Sequence, residues 1–412
     1  MKFLHLADLH IGKRVCEYSM LDDQVHILGE VLKVVDAERP DAVLIAGDVY
    51  DKPVPGAEAV AVLDDFLVKL SATGVKVFVV SGNHDSAERI AFGARLMQGT
   101  GVYMSPVYSG AFEPVTLQDV SGEVDVWMLP FVRPATVRAC LTSDEERVQV
   151  TDYTIALRSA ISQMKFTEGR RNVLVAHQFV TGAETTEGAE ECVGGLENVD
   201  ASVFEKFDYV ALGHIHKPQN VLKGDDGTVR ARYCGTPLKY SQSEAAHKKS
   251  ITVVELGAAV NAGDAVAVAG DLFAVAGMRA ALQIREIPLT PLHDVREIRG
   301  TFAELVSEGF RSAQIAAGQK LDDYIYVKLT DENDVLDAAQ KLRGIYPNLM
   351  MLEYDNERTN NQKITVNVEK VEKKSPMQLF GDFFGEMNGR DMNDEESEFV
   401  QSIIDGIWEG ER

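Results

Sequence analysis

Apolar residues in the first half of the chain come in short runs, and each run stops abruptly at polar residues. The stretch Val77–Ser81 is β-branched and aromatic, which is typical of a buried β-strand, and a turn at Gly82 then leads into Asn83, His84 and Asp85. Four more runs end in the same way, at Asp8 and His10, at Asp48, at His177, and at His214 and His216. The pattern therefore predicts five strands with polar side chains at their carboxyl ends.

Helical periodicity separates some of these strands. Residues 56–70 and 152–166 repeat apolar side chains at helical spacing, so each helix would cover one face of a sheet. Residues 249–256 predict a closing strand. The whole pattern favours a layered α/β fold, in which ligands collect beyond the carboxyl ends of the sheet strands. We therefore expect the polar residues of the five runs to meet at one site.

The second half of the chain divides into further predicted segments. Residues 257–283 are rich in Ala, Gly and Val and predict an insertion or linker, either a hairpin or a flexible loop. Residues 284–358 predict a small α/β module, which begins with a strand over 284–292. Within it we expect a helix over 295–310, a strand over 322–331, a helix over 332–347 and a strand over 348–356.

The last part of the chain predicts a linker and a helical tail. Residues 359–375 are polar and charged, and residues 376–412 follow as two short amphipathic helices. Their apolar positions are Phe380, Phe383, Phe384 and Met387 in the first helix and Val400, Ile403, Ile404, Ile407 and Trp408 in the second. Acidic polar faces argue against membrane docking. The helices either pack back on their own domain or bind a partner's helices, and their place beyond a charged linker favours the partner.

Composition sets limits on class and partners. A length of 412 residues predicts two or three domains, and 45% apolar with 25% charged residues is typical of a soluble globular protein. The sequence lacks a bilayer-spanning apolar run and a signal-peptide core, and its four cysteines are scattered, so a reducing cytoplasm is expected. Taken alone, the net charge of −23 argues against nucleic acid as a ligand.

The side chains at the five strand ends are candidate metal ligands: Asp8, His10, Asp48, Asn83, His177, His214 and His216. Imidazole, carboxylate and amide donors without a thiolate suit Mn²⁺, Fe or Mg²⁺ better than structural zinc. This set is too large for one ion but fits two if Asp48 bridges them. Two ions about 3.5–4 Å apart clamp the attacking and leaving oxygens of a phosphate ester, so the pattern predicts phosphoester hydrolysis. The alternative, merely structural histidines, requires the same coincidence at five strand ends.

The order of these motifs resembles that of calcineurin-like metallophosphoesterases: D-x-H, GD, GNHD, an isolated H and GHIH. The stretches HLADLHIGK, GDVYDKPVP, SGNHDSAERI, FDYVALGHIHKPQ and YCGTPLKYSQSE look closest to the SbcD-type nucleases, relatives of the double-strand-break repair nucleases. The resemblance extends from Met1 to about Glu255. It implies a layered αββα sandwich as the nuclease domain over residues 1–256. It also implies a capping domain over residues 284–358 and a tail over residues 376–412 that binds an SbcC-like coiled-coil ATPase.

The resemblance also implies a role for each site residue. One ion would be held by Asp8, His10, Asp48 and His216, and the other by Asp48, Asn83, His177 and His214, with Mn²⁺ as the first choice and Mg²⁺ or Fe as alternatives. His84 would not be a ligand but the acid near the leaving 3′ oxygen, or a group that steadies the scissile phosphate. Asp85 would either orient the His84 ring or cap the following helix.

The implied activity is 3′→5′ exonuclease action on duplex DNA ends and endonuclease action on single strands, in DNA repair and recombination. The implied assembly contains two nuclease chains and two ATPase chains, gated by ATP, and the ions and the partner would offset the acidic charge. Two alternatives remain. A phosphatase or phosphodiesterase acting on a non-DNA substrate is favoured by the acidity and opposed by the cap-like module and the tail. A non-enzymatic scaffold is opposed by the complete ligand set.

Overall fold

The computed structural model describes residues 1–184, 198–224, 227–260 and 279–356, together with isolated residues between 380 and 400. The chain divides into two compact units: Met1–Thr330 with Val335–Glu353, and Asp331–Asp334 with Tyr354–Arg412. Within the second unit, the Asn356 side-chain amide donates a hydrogen bond to the Asp331 carbonyl (2.8 Å). The first unit contains all the predicted site residues.

The strands of the described residues are β1 Lys2–Leu6, β2 Arg14–Val15, β3 Tyr18–Ser19, β4 Ala42–Ala46, β5 Lys76–Val80, β6 Val102–Met104, β7 Val115–Asp119, β8 Gly122–Leu129, β9 Arg171–His177, β10 Tyr209–Gly213, β11 Gln219–Lys223, β12 Val229–Tyr233, β13 Ser250–Val260, β14 Arg279–Pro288, β15 Val295–Gly300, β16 Tyr324–Leu329 and β17 Leu349–Tyr354. The helices are α1 Leu21–Glu38, α2 Ala57–Ala72, α3 Ala87–Ile90, α4 Ala94–Met97, α5 Pro134–Cys140, α6 Asp144–Gln149, α7 Tyr153–Ser162, α8 Phe302–Leu305, α9 Glu308–Ala316 and α10 Ala338–Arg343.

Two six-stranded sheets form the centre of the first unit, in the orders β14-β13-β1-β4-β5-β6 and β11-β12-β10-β9-β8-β7. In the first sheet β1, β4, β5 and β6 are parallel, and β13 and β14 complete it as antiparallel strands. In the second sheet β8, β9, β10 and β12 are parallel, with antiparallel β7 and β11 at the edges. Each sheet therefore has a parallel centre whose strand ends share one edge.

Three apolar cores stack around these sheets, and they confirm the predicted αββα layering. The inner faces of the two sheets meet in one core, where Phe78 of β5 and Val175 of β9 are fully buried. A second core lies under α1 and α2, and a third under α5 and α7. Because both faces of the parallel strands are covered, their sequences are continuous apolar runs, which is why the sequence alone predicts them.

The two helices predicted in this region are confirmed. The helix expected over residues 56–70 is α2, and the one expected over 152–166 is α7. Helix α7 begins where its sequence indicates, because the Asp152 side chain accepts a hydrogen bond from the Ile155 N–H (2.9 Å) and so caps the first turn.

The two described ends of the segment 257–283 take the hairpin form. Residues 257–260 continue β13 and residues 279–283 begin β14, so that Val260 pairs with Arg279 and Ala259 with Ala280. Strand β14 thus starts before the strand that the sequence predicted from residue 284. Small side chains give no alternation from which to recognise a strand, and pairing with β13 supplies the order instead. Residues 261–278 lie outside the described residues.

The prediction of one helix over 295–310 was wrong. Its first part is β15, which pairs in parallel with β16, and only the second part is helical, as α8 and α9. Side chains of β15 alternate between buried and exposed from Ile298 onward, a strand pattern hidden in a charged sequence. The Thr301 side chain then caps α8 by accepting a hydrogen bond from the Glu304 N–H (3.3 Å).

The strands β15, β16 and β17 form a separate three-stranded sheet in that order. The strands predicted over 322–331 and 348–356 are confirmed as β16 and β17, whereas the helix predicted over 332–347 shortens to α10. This sheet packs against α1, since Tyr324 and Tyr326 belong to the same apolar core as that helix. The buried Asp23 carboxylate accepts hydrogen bonds from the Tyr324 hydroxyl (2.8 Å) and the His293 N–H (2.9 Å).

The linker predicted over 359–375 lies outside the described residues, as does most of the tail predicted over 376–412. Among the helices that the structure describes, none combines the length and the apolar character needed to cross a bilayer.

Candidate metal centre

The carboxyl ends of β1, β4, β5, β9 and β10 meet at one edge of the two sheets, and all seven candidate ligands lie there. Four of them have positive backbone φ angles: Asp8 (54°), His10 (46°), Asp48 (48°) and His214 (110°). A positive φ in a residue other than glycine is strained by about 1–3 kcal/mol and persists only where surrounding structure enforces it. Four of the seven candidate ligands are therefore held in a strained backbone conformation by the structure around them.

Asp48 lies at the centre of this cluster and belongs to two groups of potential ligands. The ligand atoms of Asp8, Asp48 and His177 lie within 4.8 Å of one another, and so do those of His10, Asp48 and His84. The Asp48 Oδ2 atom is 3.3 Å from His177 Nε2 and 3.8 Å from His10 Nε2. A carboxylate shared by two groups has the geometry of a bridge between two cations.

The surroundings of Asp48 fit a bound cation. Its Oδ2 atom is buried and has no hydrogen-bond partner among the residues that the structure describes. His177 directs Nδ1 at the Ala46 carbonyl (2.8 Å), so Nε2 is the nitrogen that faces the site, 2.9 Å from the Asn83 side-chain oxygen. The donor set of imidazole, carboxylate and amide oxygen suits a hard or intermediate divalent ion.

The pKa values of His177, Asp48 and Asp8 indicate that the two buried carboxylates require positive charge nearby. Burial would lower the pKa of His177, but the Asp48 and Asp8 carboxylates outweigh burial and raise it to about 10. Burial likewise opposes ionisation of Asp48, yet the His177 imidazole beside it holds the pKa of Asp48 well below its usual range. Burial together with the charge of Asp48 raises the pKa of Asp8 to about 7. A divalent cation would stabilise both carboxylates in their charged form.

The remaining ligands surround these groups. His10 Nε2 lies 3.3 Å from His216 Nε2, and His214 Nδ1 lies 3.1 Å from the Asn83 side-chain oxygen. The His214 N–H donates to the Asp8 carboxylate at 2.9 and 3.2 Å, which ties β10 to β1. Burial lowers the pKa of His214 to about 3, so this ring is neutral and can act as a ligand at neutral pH.

Two glycines allow the strand ends to approach this closely. A Cβ atom at Gly82 would lie 2.0 Å from the Asp48 Oδ1 atom, and one at Gly213 would lie 1.9 Å from the Ala46 carbonyl oxygen. Neither distance can be accommodated without moving the backbone. The glycines that precede the ligands in GNHD and GHIH are therefore part of the site, because they set the spacing between its loops.

His84 is half-buried and belongs to the group formed with His10 and Asp48. Its backbone N–H donates to Asp48 Oδ1 (2.9 Å), and its Nδ1 atom lies 3.0 Å from the Asp51 carbonyl oxygen. Its ring is edge-on to that of His10, with centroids 4.9 Å apart. The sequence led us to expect an acid rather than a ligand here, and the geometry leaves a nitrogen of His84 within reach of either task.

Asp85 has a task that the sequence did not suggest. Its carboxylate accepts hydrogen bonds from the backbone N–H groups of Val49 (3.0 Å), Tyr50 (2.9 Å) and Gly82 (2.9 Å). Asp85 therefore joins the loop after β4 to the loop after β5. The His84 ring nitrogen Nδ1, in turn, lies next to the Asp51 carbonyl. The alternative that Asp85 caps the following helix was wrong, because Ser86 caps α3 by accepting from the Arg89 N–H (3.3 Å).

Sequence reasoning missed the residues that support the ligands. The buried Gln24 side chain donates to the His10 carbonyl (2.7 Å) and accepts from the Gly12 N–H (2.9 Å). The buried Glu244 carboxylate accepts from His216 Nδ1 (3.0 Å). Glu244 is the last residue of YCGTPLKYSQSE, so the signal was present, but nothing in the sequence connects it with His216.

Comparisons with known proteins identify the family to which the sequence is similar. Residues 1–218 match the calcineurin-like phosphoesterase family, and residues 291–388 match the type 5 capsule protein repressor C-terminal domain. The chain is 26% identical over 415 residues to the SbcD subunit of the nuclease SbcCD from Staphylococcus epidermidis, with both chains covered in full. It is also similar to the crystal structure of TT1561 of Thermus thermophilus, with 13% identity, a TM-score of 0.34, and coverage of 61% of this chain and 92% of that one. The full-length match confirms the resemblance to SbcD that the motifs indicated.

Gly82→Ala should disturb the metal centre without unfolding the chain. The added methyl group would displace the Asp48 carboxylate, with which it clashes at 2.0 Å. We expect fewer than two ions per chain by elemental analysis and a largely unchanged circular dichroism spectrum.

Gly29→Ala is the matched control for Gly82→Ala. A Cβ at Gly29 meets no atom within 4 Å, and the position lies inside α1, so this change should leave metal content unchanged and stabilise the helix by about 0.5–1 kcal/mol. If Gly82→Ala held two ions as tightly as the wild type, the close approach would have no bearing on the site.

Proposed function

We propose that the chain is the nuclease subunit of an SbcC–SbcD-type complex. The chain belongs to the calcineurin-like phosphoesterase family, because the family match over residues 1–218 covers more than half of its length. Membership of the family makes the chain a metal-dependent phosphoesterase. The observation that carries the proposal is the position of Asp48, a buried carboxylate shared by two groups of ligands. The relative of known name supports DNA as the substrate.

We propose the following assignment of ligands. Asp8, His10, Asp48 and His216 hold one ion, and Asp48, Asn83, His177 and His214 hold the other, with Mn²⁺ preferred over Mg²⁺ or Fe. The short distances from His10 to His216 and from His177 to Asn83 support this division. Asp8 is adjacent to both sets, because it also lies 3.8 Å from His177 Nδ1.

The chemistry proposed is hydrolysis of a phosphodiester. Two bound ions would supply an activated water and neutralise charge on the phosphate. His84 acts from the chain itself: with Nδ1 next to the Asp51 carbonyl, Nε2 is the nitrogen that exchanges a proton with the leaving 3′ oxygen. Asp85 keeps His84 in place indirectly, through the loops that it joins.

The substrates proposed are duplex DNA ends, cut with 3′→5′ exonuclease action, and single-stranded DNA, cut internally, in DNA repair and recombination. The net charge of −23 is compatible with DNA if the ions neutralise the site locally and an ATPase partner supplies much of the binding surface. The proposed location of the protein is the cytoplasm. The acidity is also the one observation that favours a second candidate, a phosphatase or phosphodiesterase acting on a non-DNA substrate.

The proposed partner is an SbcC-like coiled-coil ATPase, in an assembly of two nuclease and two ATPase chains. Two isolated tail residues that the structure describes fit this proposal, since the side chains of Phe380 and Phe399 are 40% and 66% exposed. A second exposed apolar pair, Phe92 and Leu96 at 85% each, lies on the segment that follows the GNHD motif and suits contact with a second copy of this chain.

The substrate class can be decided with one panel of assays. With Mn²⁺ present, plasmid DNA and a single-stranded oligonucleotide should be cleaved, while p-nitrophenyl phosphate should be a poor substrate. Asp48→Ala removes the proposed bridge, so it should lose both ions and nearly all activity. Rapid hydrolysis of p-nitrophenyl phosphate with intact DNA would favour the phosphatase, and two ions retained by Asp48→Ala would refute the bridge.

His84→Gln separates a chemical role from a ligand role. Glutamine keeps polarity and approximate size but exchanges no proton, so turnover should fall by about 10²–10⁴-fold while metal content stays near that of the wild type. Turnover is measured on the oligonucleotide and metal content by elemental analysis. Loss of an ion would make His84 a ligand, and an unchanged rate would remove it from the mechanism.

A chain that ends at Lys374 tests the tail. The proposed site lies wholly before Glu255, so this chain should keep its ions and its cleavage of single strands but lose co-purification with the ATPase of the same organism. Phe383→Asp with Ile404→Asp should act in the same way, because a charge is costly in a buried apolar groove.

Asp382→Asn, on the predicted polar face of the first tail helix, is the control and should bind normally. Light scattering of the purified complex reports whether it contains two chains of each kind. Equal recovery of the ATPase with the truncated chain would move the docking site elsewhere.

A further inference from the structure

The Glu244 side chain is fully buried and has five hydrogen-bond partners. Its carboxylate accepts from His216 Nδ1 (3.0 Å), from the Lys249 ammonium (2.5 Å), from the Tyr240 N–H (3.3 Å), and from the hydroxyls of Thr236 (3.3 Å) and Ser241 (3.2 Å). Among these partners only His216 is a proposed metal ligand. The carboxylate therefore connects the metal centre with a buried lysine that is not part of it.

Glu244 and Lys249 together hold both the side chain and the main chain of His216. Glu244 accepts from the ring, and Lys249 donates to the His216 backbone carbonyl (3.0 Å) and to the Thr236 hydroxyl (2.6 Å). The Thr236 N–H donates to the same carbonyl (3.3 Å). The main chain and the imidazole of one residue are thus both fixed by one ion pair, and this leaves the His216 ring little freedom to turn.

The contact with Glu244 also decides which nitrogen of His216 faces the metal. Because Nδ1–H is donated to the carboxylate, the lone pair of a neutral ring is on Nε2, the atom that lies 3.3 Å from His10 Nε2. A carboxylate behind a ligating histidine fixes its tautomer and makes the ring a stronger ligand. Stability alone does not require this arrangement, since a well-packed apolar pair is often as stable as a buried ion pair.

We propose that Glu244 is a positioning residue for the metal centre, acting through His216, and that Lys249 holds the Glu244 carboxylate in place. The inference rests on the proposed two-ion site and deepens it, because it singles out the ion held by His216. Removing the charge of Glu244 should weaken the binding of that ion and leave unchanged the binding of the ion held by Asn83, His177 and His214. A purely structural ion pair would affect the folding of the chain and neither ion in particular.

The test is a titration of the metal-free protein with Mn²⁺, followed by calorimetry and by electron paramagnetic resonance of free Mn²⁺. For Glu244→Gln we expect one of two ions to bind about tenfold more weakly. For Glu244→Met with Lys249→Met, which leaves no unpaired buried charge, we expect a loss nearer to 100-fold for the same ion and a melting temperature at or above that of the wild type.

Asp119→Asn is the matched control. Asp119 pairs with the buried Arg171, which begins β9, while His177 ends that strand about 20 Å away. This variant should lower the melting temperature and leave both affinities unchanged.

Wild-type binding of both ions by Glu244→Gln and by the double variant would overturn the inference while leaving the two-ion site intact. A wild-type chain that itself bound fewer than two ions would instead overturn the proposed site. The two failures are therefore distinguishable in one titration.

Discussion

A carboxylate buried between two sets of ligands is the constraint on which the rest of this structure depends. Asp48 is 1% exposed, and one of its oxygens has no hydrogen bond from the described residues. Leaving such a charge unpaired in a protein interior costs several kcal/mol, so the surroundings must supply positive charge. The imidazoles of His10, after β1, and His177, at the end of β9, approach the Asp48 carboxylate. Asp8 lies close enough to His177 to compete with Asp48 for its positive charge. The site is stable only with a proton or a cation between these groups.

That requirement explains why the ligands sit on strained loops between rigid layers. Residues with positive φ angles at Asp8, His10, Asp48 and His214 would relax if their strands could move. Three apolar cores hold the two sheets in place, and the glycines at the strand ends remove the side chains that would keep the loops apart. The apolar cores are closed to solvent, and they hold the loops at fixed separations. The geometry of the candidate site is a consequence of sheet packing.

A second set of side chains fixes the positions of the candidate ligands and their loops. Gln24 holds the His10 carbonyl, Asp85 joins two loops through backbone N–H groups, and Glu244 stands behind His216. Each contacts a neighbour that is distant in sequence or joins two separate loops. In this layer one sequence-based expectation failed: Asp85 joins two loops and does not cap the helix that follows, which Ser86 caps. A short polar motif shows that its residues are adjacent, but it does not show which distant backbone groups they meet.

The sequence by itself determined the layered sandwich and the five strand ends that carry the candidate ligands, because continuous apolar runs followed by polar residues have one simple interpretation in a parallel sheet. It did not determine that residues 295–300 form a strand, since their charged sequence is ordered by pairing with β16. Nor did it reveal which residues support the candidate ligands. Those features depend on distances between segments as far apart as residues 8, 48, 177 and 244. Only the packing of the two sheets sets these distances, which is why the tertiary structure alone could decide them.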